Sequence, residues 1–160
     1  MGVKCVTPQN VIDEFFRLAT QIVHDEIIRA LSYLCELSIV KVRDRDEIDS
    51  WYDHTGNLRS SVGYAIFEYG RKKMESIFDA IKGGTKGSNE GRKMVEELAG
   101  KYANAYAAVI MAAMSYADYV EACKNKDVLA STETWVITKI DEFLEKAKER
   151  AVKKINAIKL

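Results

Sequence analysis

Hydrophobic positions along the chain alternate between two spacings, and the change of spacing marks the elements. From Ile12 through Phe15, Phe16, Ala19, Ile22, Val23, Ile27, Ala30 and Leu31 to Leu34 they recur every three or four residues. That is the period of one amphipathic helix running to about Leu37, with Asp13, Arg17, Gln21, Asp25 and Arg29 on its polar side. Thr7 followed by Pro8 supplies a start, with Thr as cap and Pro at the first helical position. A matching stripe closes the chain: Val136, Ile140, Phe143, Leu144, Ala147, Ala151 and Ile155 follow Thr132 as a cap, and Lys148, Arg150, Lys153 and Lys154 suit the negative end of the helix dipole.

Between these helices the pattern changes. Residues 41–54 are charged and irregular and read as a solvated loop pinned by Trp51 and Tyr52. Gly56-Asn57 signals a turn that tolerates positive φ. Residues 62–69, rich in β-branched and aromatic side chains and bounded by Gly63 and Gly70, read as a strand. Residues 72–81 carry apolar positions that fit a helix or an extended segment. Four glycines and polar residues crowd 83–91, which predicts a mobile loop, and 92–101 returns to a helix with Met94, Val95 and Leu98 inward. Residues 102–114 are ambiguous. Their alanines favour helix, while the unbroken apolar run 107–114 suits a buried strand. Asp127 to Ser131 could form a last short strand.

Length and charge narrow the class. One hundred and sixty residues can bury a continuous core in a single domain, spanning 1–160, without metals or disulfides. Lys plus Arg and Asp plus Glu both total 24, so the formal net charge is zero. That argues against general nucleic-acid binding, which needs a basic excess, and it favours close self-association. Cys5, Cys35 and Cys123 are widely separated and read as free, buried thiols in a reducing compartment. No secretory leader and no membrane-spanning run are visible.

Candidate chemistry is sparse. The acidic residues Asp44, Asp46, Glu47, Asp49 and Asp53 lack the glycine and distal Glu of a calcium loop. Lys86 precedes its glycine, so 83–91 does not fit a phosphate-binding loop. His24 reads as a helix-side histidine, and His54 as a local capping or hydrogen-bonding group. No nucleophile elbow or metal constellation appears. The expectation is a protein without catalytic activity and without a cofactor, metal or small-molecule substrate.

Two segments carry a resemblance: Thr55-Gly56-Asn57-Leu58-Arg59-Ser60-Ser61-Val62 running into a strand, and Met114-Ser115-Tyr116-Ala117-Asp118-Tyr119-Val120-Glu121 following an apolar run. Together they resemble the tail-completion, or head–tail joining, proteins of tailed bacteriophages and prophages. The resemblance implies an α+β fold, with long N- and C-terminal helices packed on a small antiparallel sheet and 102–114 largely strand. Segment 71–101, containing the glycine-rich loop, then looks like an insertion between two strands. It also implies a virion structural subunit, assembled in the bacterial cytoplasm, that forms a ring (a hexamer in that family) and docks to neck or tail proteins. The residues singled out are Thr55, Gly56, Leu58, Arg59, Ser60, Tyr64, Phe67, Tyr69, Tyr116, Ala117, Tyr119, Val120 and Glu121. The tyrosines and Phe67 are the amphipathic aromatics that interfaces favour, although core burial is the commoner fate of each. Arg59 and Glu121 could pair within or between subunits, with a solvated or local structural role expected first. Where the phage pattern continues with a Gly-Thr turn, this chain has Ala122-Cys123-Lys124. The other reading is a cellular helical adaptor whose long helices offer a groove to a partner helix.

Overall fold

The computed structural model describes residues 7–45, 51–124 and 126–159. Cys5, the acidic residues Asp46, Glu47 and Asp49, and the side chain of Cys123 therefore lie outside what is described. Helix α1 spans Gln9–Arg43, with Pro8 at its N-cap position, one residue later than the Thr7 start anticipated. At 1.5 Å per residue it is about 52 Å long, and it reaches into the segment expected to be loop. The reason is packing: Ser38, Ile39 and Val42 continue the buried stripe beyond Leu37. Helix α5, Ala130–Asn156, lies antiparallel against α1, with Tyr33 beside Phe143 and Lys41 over the Trp135 ring. The short strand expected at 127–131 is absent. Asp127 instead accepts a hydrogen bond from the Ser131 amide at 3.1 Å, helping to open α5. Thr132 does not cap; it is buried in the first turn, where its hydroxyl accepts a hydrogen bond from Arg45 at 3.0 Å.

The sheet holds three antiparallel strands in the order β2-β1-β3: β1 Val62–Glu68, β2 Arg71–Glu75 and β3 Tyr106–Ala112. The ambiguous segment 102–114 therefore contains a strand, 106–112, paired with β1 from Val62↔Ala112 to Glu68↔Tyr106. The architecture is α+β, with both long helices and a small antiparallel sheet. Strand β1 is central and its burial is nearly complete, which explains an apolar run without strict alternation. Its Val62, Tyr64 and Ile66 pack in a core with Leu31, Cys35 and Ile39 of α1. Its Ala65 and Phe67 face the other way, toward Phe78, Val95 and Met111. Strands β1 and β2 form a hairpin through Tyr69 (φ 47°) and Gly70 (φ 79°), two consecutive positive φ values that match a type I′ turn. Tyr at the first of these positions hides the turn from a reader looking for Asn-Gly.

The glycine-rich segment is the main departure. After a 3-10 turn at Ile81–Gly83, helix α3 runs Thr85–Leu98, so most of the expected mobile loop is helical. Its glycines are contacts rather than hinges. A Cβ on Gly87 would lie 1.8 Å from the Asn57 carbonyl oxygen, and one on Gly91 would lie 2.3 Å from the Phe78 ring. Gly84, Gly87 and Gly91 sit three and four residues apart. They form one flat face against helix α2, Asn57–Ser61, and the segment after β2. Val95 is buried, with Met94 and Leu98 beside the same cluster, as their spacing anticipates.

Candidate interaction surface

Six of the residues singled out in the sequence hold the fold from inside. Gly56 has φ 72°, and a Cβ there would collide with the Ile81 carbonyl. Leu58, Ser60, Tyr64, Phe67 and Ala117 are all buried. The Ser60 hydroxyl accepts the Ile81 amide at 2.8 Å, and the Tyr64 hydroxyl donates to Glu36 at 2.6 Å. Burial first, then the neighbouring Glu36 carboxylate, pushes the Tyr64 phenol well above its ordinary range. Tyr64 and Phe67 therefore present no surface in the folded chain, and their core packing accounts for their aromatic character.

Arg59 and Glu121 do not meet. The Arg59 guanidinium donates to the Arg43 carbonyl, lies 3.9 Å from the Asp53 carboxylate and sits 5.5 Å from the Trp51 ring centre. It thus ties the end of α1 to Trp51, which is buried as anticipated, whereas Tyr52 is exposed and pins nothing. Glu121 accepts the amides of Leu129 and Ala130 at 3.1 and 2.7 Å. A carboxylate there satisfies orphan donors and complements the dipole at the start of α5.

What the fold does bring together is one part of each segment, around a shared cleft. Helix α4, Ala117–Lys124, places Tyr116 and Val120 beside Thr55 and Leu58, and with Trp51, Tyr52 and His54 they line a cleft of about 440 Å³. Burial and then the nearby Asp53 charge raise the Tyr116 phenol above its ordinary pKa, while a hydrogen bond with Thr55 works the other way. Tyr119, on the same helix, is 62% exposed. Tyr69 is left out: it stands at the hairpin turn and is exposed there.

Tyr69 belongs to a second cluster that the sequence conceals. His24 on α1 contacts Glu68, and its Nδ1 lies 2.7 Å from the Tyr106 hydroxyl, with Tyr69 and Tyr106 rings packed around it. Lys73 closes on the other Glu68 oxygen at 2.5 Å. These groups lie 44 and 82 residues from His24 in the chain, so no local pattern joins them. Lys73 first, then His24, holds the Glu68 carboxyl down to about 2, and burial raises Tyr106 to about 12. A carboxylate so strongly held is a poor base at neutral pH; the cluster clasps α1 to the hairpin. Because the folded-state pKa of Glu68 is depressed, its stabilisation is present above about 4.5 and is lost as pH falls toward 2. Lys73 is partly exposed and screened, so we expect Glu68→Gln to cost about 1–2 kcal/mol at pH 7 and almost nothing near pH 2. Urea titrations across that range measure it; an equal cost at both pH values would refute the clasp.

Among the described residues, no group of His, Cys, Asp and Glu is arranged to hold a metal ion, and no helix is long and apolar enough to cross a membrane. Cys35 is buried in the core, which pushes its thiol up to about 12 and leaves it unreactive at neutral pH. Comparison with protein-family models, with curated proteins and with solved structures returns no match.

Proposed function

We propose that the chain is a non-enzymatic virion subunit of a tailed bacteriophage or prophage, a tail-completion or head–tail connector protein. It acts by assembling with copies of itself into a ring, hexameric by the family resemblance, and by docking to neighbouring neck or tail proteins. Neither nucleic acid, membrane nor small-molecule substrate enters this reading. One observation carries it: residues of the two resembling segments, some sixty positions apart, line a single aromatic cleft. Thr55, Leu58, Tyr116 and Val120 line that cleft, and Tyr119 beside it has an exposed, rigid aromatic ring of the kind that anchors protein contacts.

A second reading, a cellular helical adaptor, draws support from Ile137, Val152 and Phe16, which leave apolar surface exposed on α5 and α1. The two separate at the cleft. Tyr119→Ser changes an exposed side chain and should leave the melting temperature within about 2 °C of wild type, yet abolish rings. Light scattering and negative-stain microscopy of the protein, alone and mixed with the tail proteins encoded beside it, make the measurement. Rings from wild type and not from the variant are expected. A wild-type monomer that joins none of those proteins overturns the phage reading.

A further inference from the structure

The two edges of the sheet differ in chemistry. Strand β2 reads Arg-Lys-Lys-Met-Glu and is exposed along its whole length, an edge guarded by charge against further pairing. Strand β3 reads Tyr-Ala-Ala-Val-Ile-Met-Ala, with no charge, no proline and an unbroken register against β1. The Ala113 amide donates to Ser61, and the Ala105 carbonyl accepts from Tyr69. Odd-numbered residues of β3 therefore bond to β1, and by alternation the N–H and C=O groups of Tyr106, Ala108, Ile110 and Ala112 face outward. Among the described residues, no strand lies on that side.

Beyond this open edge lies a groove rather than flat solvent. Its outer part, about 600 Å³, has Ala108 and Ile110 on one wall and Val136 and Ile137 of α5 on the other. It continues inward into an apolar gap of about 330 Å³ floored by Leu31 and Leu34 of α1. Strand and helix match in length: the seven residues of β3 and the stretch from Leu129 to Leu144 each span about 23 Å. Ile137 remains 66% exposed on the rim.

We propose that this groove is a strand-acceptor site for an extended segment of a partner protein, uncharged and with apolar side chains at alternate positions. The chemistry selects that occupant. When an occupant displaces water, a row of outward amides and carbonyls at two-residue spacing is satisfied in register by another extended backbone. The side chains of that backbone would alternate between solvent and the apolar floor. Among the described residues lining the groove, Glu133 at the α5 side is the only charged one, so a strand with a charged centre would lose solvation without a partner. A second copy of β3 fits poorly, because its own α5 stands along the same edge and the two helices would meet. The site is separate from the Tyr116 cleft and does not depend on the phage reading.

The probe is a short synthetic peptide of alternating valine and threonine with a lysine at each end, added to the isotope-labelled full chain. Amide exchange at Tyr106, Ala108, Ile110 and Ala112 should slow about tenfold or more, while Ala107, Val109 and Met111 change little. A peptide with proline replacing each valine should have no effect. Ile137→Lys alters an exposed side chain on the α5 wall, keeps the fold, and should weaken the peptide effect at least tenfold. Unchanged exchange at high peptide concentration overturns the proposal, as does binding that Ile137→Lys leaves intact. Protection of the same four amides in concentrated protein without peptide, lost on dilution, would assign the edge to a second copy instead and also overturn it.

Discussion

Gly87→Ala should destabilise the protein by about 2–3 kcal/mol, lowering the melting temperature by about 8 °C. The sign is the informative part. In a mobile loop the change would be close to neutral, and in a solvent-exposed helix it would stabilise by about 1 kcal/mol, since Ala is the better helix former. Here the new methyl would sit 1.8 Å from the Asn57 carbonyl oxygen and 2.9 Å from the Asn57 Cα. Both atoms are backbone, so no rotamer change relieves the overlap, and α2 and α3 must move apart. That movement also breaks the bond from the Gly87 amide to the Asn57 side chain at 3.2 Å, and it strains the one from Ser88 to the Phe78 carbonyl at 2.5 Å. Lys86→Ala, on the exposed face one residue away, should shift the melting temperature by no more than about 1–2 °C. Thermal denaturation of the two variants beside wild type decides the matter. A Gly87→Ala protein as stable as wild type would mean that α3 does not pack on α2 as described.

The same residues show where sequence reasoning reaches its limit. Long helices with a regular stripe are legible because periodicity over many residues is a strong signal: α1 and α5 lie where Ile12–Leu34 and Val136–Ile155 place them. Strand β1 is legible from its β-branched and aromatic content. Strand β3 is ambiguous from its residues alone, since alanine favours helix and the run has no alternation, and strand is favoured there only by the resemblance; pairing with β1 overrides propensity. The glycines of α3 read as flexibility because a sequence cannot say whether a missing Cβ leaves empty space or makes room for a neighbour's backbone. β2 is charged on both faces, so nothing in its pattern separates it from loop, and only the pairing with β1 makes it a strand. The candidate surface divides in the same way. Thr55, Leu58, Tyr116 and Val120 do converge, whereas Tyr64 and Phe67 carry interface chemistry into the core. The His24 clasp and the β3 groove arise from contacts between distant elements and leave no local trace.

Replacing Arg150 and Lys154 together should cost more than the sum of the two single replacements. Glu26 is the residue that makes this so. Its carboxylate is only 2% exposed, on the buried face of α1, and it accepts Arg150 and Lys154 of α5, each at 2.6 Å. Those two bonds, Arg150 first, pull its pKa below the usual carboxylate value against the opposing effect of burial. Either partner alone can hold the charge, and both are partly in solvent, so Arg150→Met or Lys154→Met should cost about 1 kcal/mol each. With both gone, Arg29 is the cation left near it among the described residues, at 3.8 Å and with its own side chain mostly in water. An ionised group is then buried almost unpaired, and the double variant should lose about 3–4 kcal/mol at pH 7. Its pH dependence should also change sign. In wild type the depressed pKa stabilises the fold above the carboxylate range, and that stability is lost as pH falls through it. In the double variant burial acts without compensation and raises the pKa, so stability is present below the unfolded value and lost as pH rises. Urea titrations at pH 4 and pH 7 on the full cycle make both measurements. Adding Glu26→Met to the double variant should recover most of the loss, because an apolar side chain of similar size needs no partner there. Additive costs, or a double variant with wild-type pH dependence, would show that the α1–α5 junction is held by its apolar stripe alone.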